Sequence, residues 1–390
     1  MFAHCLPAAG AGRGALALPR AAAPALQRRC LAITTSATAP LLPIAYLHSG
    51  PGLPPELYQT APDAFLADTH TLWTPPGARG VYGGHVVATA MLAAERSLPQ
   101  GAPRFPMNSL HGYFLRPGNS ALPTTYSVER LRDGRSFVTR AVTARQGGEA
   151  IFSLQCSFHA LEADTSKGAL GHQLRMPQVP SPEELTAAAA AAAAAGGGGG
   201  AARQLPPLPL RVLPCFPGRR APQWPARQLA WMAMAPLPPP SPATAHLHRA
   251  ALAFAADWGI GVTSLLPYNL QWNSPQLAIA ASLDHAMHFH DAMSGEGARA
   301  VEGRSSSRAA GAAGAAGAAG AAARPIERHA DAPAVPLPGA APPQRADAYI
   351  LFELESTLLR SDRGMNSLRL WSQDGTLLCS ATQESLLRAR

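Results

Sequence analysis

The sequence predicts an α+β protein in which one unit, a helix followed by several antiparallel strands, is used twice. Three observations carry that expectation. First, at one constant shift Val86 falls on Ile260, Thr89 on Thr263, Met91 on Leu265, Leu92 on Leu266 and His111 on His285. A fixed offset across a helical pattern and the strand pattern after it marks a repeat. Second, Gln146-Gly-Gly matches Gln373-Asp-Gly at a larger shift, and the two shifts differ by almost the length of a low-complexity stretch between Ser294 and Arg345. Third, both halves pass from helical spacing to period-two alternation. The expected architecture is two helix-wrapped antiparallel sheets, with a disordered N-terminus, linker and insertion.

Residues 1–55 precede the first unit. They hold Arg13, Arg20, Arg28 and Arg29 but no acid, Glu56 being the first. With their Ala and Leu content they have the character of an organellar transit peptide. The mitochondrion is the expected destination and the plastid the alternative; a plain disordered tail is the other reading. A peroxisomal address is disfavoured, because the chain ends Leu-Arg-Ala-Arg and not Ser-Lys-Leu. No apolar run is long enough for a bilayer-spanning helix. The formal charge of +8 suits an anionic partner, yet no basic helix or aromatic-studded basic strand argues for nucleic acid, and a phosphate-bearing ligand fits equally. Five cysteines with no C-x-x-C spacing argue against a disulfide framework and a structural zinc, and for a reducing compartment.

The first unit spans 65–162. Pro75, Gly77 and Gly80 mark a loop, after which Gly83-Gly84 opens a helix whose Val86, Val87, Ala90, Met91 and Ala94 share a face until Pro99 ends it. Paired glycines at a helix start let another backbone approach and leave free N–H groups, which suit an anion or a carbonyl oxygen; close packing on a sheet is the plainer explanation. Strand patterns run from Ser109 to Leu115, Thr124 to Leu131 and Ser136 to Arg145, with Asp133-Gly134 as a hairpin turn. Phe152, Leu154, Cys156 and Phe158 alternate with polar residues as a half-buried strand.

Residues 163–204 read as a low-complexity linker, since the Ala187–Ala195 run and the glycine run after it carry no periodicity; any alanine helix there is expected to be transient. The second unit spans 205–390. Short strands are expected at Leu208 to Pro214 and Gln228 to Met234. A helical pattern then starts at Asp257, keeps Trp258, Val262, Leu265 and Leu266 on one face and stops at Pro267. Leu277 to Leu283 alternates, with Ser282 among small residues. The insertion, 295–345, has Gly-Ala-Ala steps without the imino acids of a collagen helix, so disorder is expected. Strands resume at Ile350, and after the Asp374-Gly375 turn Leu377, Cys379, Ala381 and Gln383 share a face.

Asp257, Ser282 and Gln383 form the candidate site. At the two shifts their counterparts are Gly83, Asn108 and Cys156, which cannot make the same constellation, so one half carries chemistry and the other completes the structure. Each residue has an ordinary alternative: a helix cap, a small packing residue and a solvated strand end. His285, His288 and His290, with Asp284 and Asp291, imitate a metal cluster, but no third ligand at suitable geometry is implied, and no metal is expected. The match of His285 to His111 suggests a shared structural role.

These residues carry a resemblance to a known family. Tyr82-Gly-Gly-His-Val-Val, Asn108-Ser-Leu-His-Gly-Tyr-Phe-Leu-Arg-Pro-Gly118 with Arg132-Asp-Gly-Arg-Ser-Phe137, Ser282-Leu-Asp-His-Ala-Met and Ala381-Thr-Gln-Glu384 resemble signatures of the type II acyl-CoA thioesterases. The resemblance implies a double hotdog fold. It also implies an Asp, Ser/Thr, Gln catalytic triad falling on Asp257, Ser282 and Gln383, and hydrolysis of fatty acyl-CoA to fatty acid and CoA without metal or other cofactor. Partners implied are the acyl-CoA substrate and further copies of the chain in a homo-oligomer. His85 stands where the family has Gln, and Ser385 where it has Gly. A hotdog protein that binds acyl-CoA or a partner without hydrolysis, or a hydratase of the same fold, is the alternative.

Overall fold

Alternating apolar residues build strands wherever one face can be buried, and here that face is turned toward two helices. The computed structural model describes residues 57–75, 77–99, 105–160, 172–194, 210–215, 226–234, 236–241, 243–272, 274–290 and 348–390. Residues 1–55, expected to be a transit peptide, and the insertion 295–345 lie outside the described residues, as do parts of the expected linker.

The first half comprises β1 (Tyr58–Ala61), β2 (Ala64–Ala67), helix α1 (Gly83–Arg96), β3 (Met107–Phe114), β4 (Thr124–Asp133), β5 (Phe137–Gln146) and β6 (Glu149–His159). The second comprises β7 (Leu210–Pro214), β8 (Arg227–Met234), helix α3 (Ala245–Ala256), β9 (Leu277–Ser282), β10 (Asp284–Phe289), β11 (Ile350–Arg360), β12 (Arg363–Trp371) and β13 (Leu377–Ala389). Between them runs helix α2 (Pro182–Ala194).

All strands join one antiparallel sheet, in the order β1-β2-β4-β5-β6-β3-β10-β13-β12-β11-β8-β7, with β9 paired to β13. Read outward from the β3–β10 seam, the halves repeat each other: β6 answers β13, β5 answers β12, β4 answers β11 and β2 answers β8. At the seam Leu110 faces Met287 and His111 faces Ala286. Helices α1 and α3 pack side by side, and their buried residues share one core with both halves of the sheet, from Phe65 and Phe152 to Phe254, Phe352 and Leu370. The expected double hotdog forms, with its two antiparallel half-sheets joined through the β3–β10 seam into one.

The hairpin expected at Asp133-Gly134 joins β4 to β5, and the two Gln-x-Gly matches sit in corresponding turns, β5–β6 and β12–β13. Three expectations need correction. The helix of the second half does not begin at Asp257; it ends there. Asp257 is the C-cap of α3, the chain turns through Gly259 at φ +81, and Trp258, Val262, Leu265 and Leu266 belong to this turn and a 3-10 segment, Thr263–Tyr268, that includes Pro267. Turn and 3-10 spacings of three and four residues mimic an α-helical face.

As far as Ala194 the alanine run lies in helix α2, whose start is capped. Ser181 Oγ accepts from Glu184 N at 3.2 Å, while Ser181 N donates to Glu184 Oε2 at 2.7 Å, a reciprocal capping box. Met176, Val179 and Leu185 cover Trp231, Leu351 and Trp371 on the sheet face away from α3, and Trp231 Nε1 donates to Pro180 O at 2.9 Å. Part of the expected linker is therefore a strap on the second half.

Finally, His285 and His111 share no role: His285 is buried, whereas His111 is exposed and meets the exposed His288 with ring centroids 5.4 Å apart. His285 and His288 point to opposite faces of β10, so the histidine cluster does not converge. Among the described residues, no helix is long and apolar enough to cross a membrane.

Candidate active site

The antiparallel packing of α1 and α3 brings the N-terminus of one against the C-terminus of the other. Tyr82, the residue before α1, donates its hydroxyl to Phe254 O in α3 at 2.7 Å. A Cβ at Gly84 would run into that same carbonyl, and a Cβ at Gly83 would lie 2.8 Å from Asp257 Oδ2 and 2.9 Å from the Phe114 ring. The paired glycines are what permit this approach. Gly84 N then donates to Asp257 Oδ2 at 2.9 Å. The helix start thus holds a carboxylate from the other half, where the dipole and the unpaired N–H groups favour negative charge.

Ser282 and Gln383 reach the same place from the sheet. Ser282 Oγ donates to Asp257 Oδ1 at 3.3 Å, and Gln383 Nε2 donates to Ser282 Oγ at 2.7 Å. Gln383 is 1% exposed. Its strand neighbour Asn366 donates Nδ2 to Gln383 O at 3.3 Å and accepts from Ser264 Oγ at 2.8 Å, which ties β12 and the 3-10 segment behind the site. Gly261 passes so close that a Cβ there would stand 3.0 Å from Gln383 Nε2. The three residues singled out in the sequence therefore form one hydrogen-bonded group.

A fourth residue belongs to it. His285 Nδ1 lies 2.7 Å from Gln383 Oε1, and the ring is fully buried. In an unbroken strand 282 and 285 would face opposite ways, because side chains alternate. The chain breaks its alternation at Leu283, between β9 and β10. Leu283 N donates to Glu384 O at 2.9 Å and Asp284 Oδ1 takes Glu384 N at 2.6 Å. This irregularity turns Ser282 and His285 to the same side, one on each end of the Gln383 amide. No period-two reading finds that; only the break itself, which the sequence marks by no glycine or proline, would have shown it.

Burial dominates the electrostatics. It raises the Asp257 carboxyl above its ordinary value, against the lowering effects of His285, Gly84 N–H, Ser282 and Gln383. It pulls the His285 imidazole below its ordinary value, against Asp257, Gln383 and Asp284. A neutral imidazole therefore stands near a carboxyl group that titrates closer to neutrality than usual. The arrangement can hold a water or a hydroxyl against a carboxylate base.

The two halves match two family models in order. Residues 70–159 match the acyl-CoA thioesterase N-terminal domain, and residues 339–387 the acyl-CoA thioesterase C-terminal domain. The chain is 27% identical to human acyl-coenzyme A thioesterase 8 over 329 residues, 82% of this chain and 83% of that protein. It is 26% identical to acyl-CoA thioesterase 2 of Haemophilus influenzae over 323 residues, 80% of this chain and 89% of that protein. An acyl-CoA thioesterase II of known structure from Mycobacterium marinum superposes with a TM-score of 0.55 at 25% identity, covering 86% of this chain and 96% of that one. A hot dog fold protein from Alicyclobacillus acidocaldarius, 17% identical, shares the fold with a TM-score of 0.54 over 86% of this chain and 96% of that one. With both acyl-CoA thioesterase domain models matched in sequence order and a sheet doubled about the β3–β10 seam, the chain is a double-hotdog protein similar to the type II acyl-CoA thioesterases.

Proposed function

We infer that this protein hydrolyses acyl-CoA thioesters to fatty acid and CoA, with Asp257 as general base. The observation that carries the reading is the Asp257 carboxylate itself. It is held by the Gly84 N–H on one oxygen and by Ser282 on the other, at a helix N-terminus inside a site that belongs to both halves. The contact between Ser282 Oγ and Asp257 Oδ1, at 3.3 Å, is long for an O–H···O bond, whose usual separation is about 2.7–2.8 Å. A water can take over one or both ends of it.

The chemistry needs little more. Water, positioned by Ser282 and Gln383, attacks the thioester carbonyl carbon as Asp257 takes its proton. The dipole at the start of α1 favours the negative charge that develops on the carbonyl oxygen. The intermediate collapses, the C–S bond breaks, and the thiolate takes the proton back from Asp257. A thiol with a pKa of about 8.5, as for cysteine, leaves without strong acid assistance. Atoms and charge balance with no redox step.

Thiol release from acyl-CoAs of several chain lengths tests this directly. Asp257→Asn, which keeps the shape and removes the base, is expected to lower kcat by about 10²–10⁴. Near-normal turnover by the folded variant overturns the assignment. Catalysis needs the ionised carboxylate, so the rate rises with pH as Asp257 deprotonates. Because burial raises that group, the acid limb of kcat/KM should lie above the ordinary aspartate value of about 3.9. A limb at or below that value contradicts the reading. Binding of acyl-CoA without turnover by the wild-type protein would indicate the non-hydrolytic alternative.

A further inference from the structure

Gln383 is the one member of the site whose contribution depends on which way round it is held. Its amide has a donor end and an acceptor end of nearly equal size. With Nε2 toward Ser282, the amide donates to Oγ and leaves the hydroxyl proton free for Asp257 Oδ1. Reversed, Oε1 would accept that proton and draw it away from the carboxylate. Ser282 alone constrains the amide only weakly, since a hydroxyl donates as readily as it accepts and its bond to Asp257 Oδ1 is long at 3.3 Å. The choice falls to whatever meets the other end of the amide, and that is His285 Nδ1 at 2.7 Å.

His285 is equipped to make it. The ring is fully buried, and its Nε2 has no hydrogen-bond partner among the described residues. Burial keeps it neutral despite the facing carboxylates Asp257 and Asp284, so it carries a single N–H. Placing that proton on Nδ1 satisfies Gln383 Oε1; placing it on Nε2 would bury a bare donor and set two acceptors against each other.

We propose that His285 is a positioning residue for the hydrolysis: its Nδ1–H locks the Gln383 amide so that every donor in the chain His285, Gln383, Ser282 points toward Asp257. The proposal rests on the assignment of Asp257, Ser282 and Gln383 made above. It gives a use to a buried histidine that the water-activating step does not touch.

The test uses the full chain and two substitutions. His285→Leu removes the donor at similar bulk, and His285→Asn keeps an N–H close to the position of Nδ1. Leu is expected to lower kcat about 10–100-fold, the cost of a mispositioned catalytic group, with KM within about threefold. Asn is expected to recover turnover to within about fivefold of wild type, and thermal unfolding of each variant separates folding from positioning. In a Gln383→Ala background His285→Leu should add no further loss, because there is no amide left to orient. Full activity in His285→Leu, equal loss in the Leu and Asn variants, or full additivity with Gln383→Ala overturns the proposal.

Nitrogen-15 NMR of labelled histidine in the wild-type protein gives a reading that needs no folded Leu variant. The neutral tautomer protonated at Nδ1 is expected, and protonation at Nε2 overturns the proposal. Normal turnover in Gln383→Ala alone is a different failure, one that retires the role of Gln383 and with it the broader mechanism.

Discussion

Two glycines decide how close α1 can come to α3. Gly83 and Gly84 lie where any side chain would meet Asp257 Oδ2, the Phe114 ring or Phe254 O. The two positions should fail differently. Gly84→Ala presses on backbone and is expected to destabilise the fold by about 1–3 kcal/mol, as overpacking does. Gly83→Ala presses on the carboxylate and should lose turnover out of proportion to its loss of stability. Thermal unfolding and thiol release on both variants check this.

The next residue, His85, is 1% exposed and both its ring nitrogens lack partners among the described residues. Burial pulls its pKa down to about 4 from an ordinary 6.5. The unfolded chain takes up this proton near 6.5 and the folded one resists until about 4, so the unfolded state binds more protons in that window. Stability is whole above pH 6.5 and falls as the pH drops toward 4. A displacement of this size is worth on the order of 3 kcal/mol. His85→Leu removes that liability: relative to its parent it should be more stable at pH 5 than at pH 8, by denaturant unfolding at each pH. An equal difference at both pH values would contradict this account.

Among the elements, the strap of 172–194 offers the sharpest separation of stability from chemistry. Leu185 packs over the Trp231–Trp371 cluster, away from the site. Leu185→Asp should lower the melting temperature and shift tryptophan emission to the red while leaving kcat near wild type; a matching fall in kcat would mean that the strap reaches the chemistry. The elements also show where the sequence was legible. Strands β4 to β6 were, because polar and apolar residues alternate and Asp133-Gly134 punctuates them. Helix α1 was, from its apolar spacing and the paired glycines. Helix α3 was not. From Ala250 to Ala256 every residue is apolar, so no polar position marks a stripe in the last two turns. Its capping aspartate, Asp257, reads as a start because the 3-10 segment after it keeps a helix-like spacing. The doubling was legible too, but its constant shift lays α1 on residues 257–270, past the end of α3, so the helix register it implied is corrected. The residues of the site were accessible through motif. Their fourth partner was not, because the break at Leu283 overturns the alternation by which strands are read.

At the level of the whole molecule, the doubled sheet sets two helix ends against two helix ends. On one side the start of α1 meets Asp257. On the other the start of α3 meets the end of α1, where Arg249 Nη2 stands 3.7 Å from Glu95 Oε1 in the interior. Burial raises Glu95 to about 7. The second junction carries an ion pair and Cys156 where the first carries a glycine pair and Gln383, so the architecture is repeated while the site is not. The glycine that steadies Asp257 is nevertheless contributed by the first half. Damage to the proposed chemistry will therefore not sort by repeat: the first half holds none of Asp257, Ser282 and Gln383, yet it supplies the N–H on which the orientation of the proposed base depends.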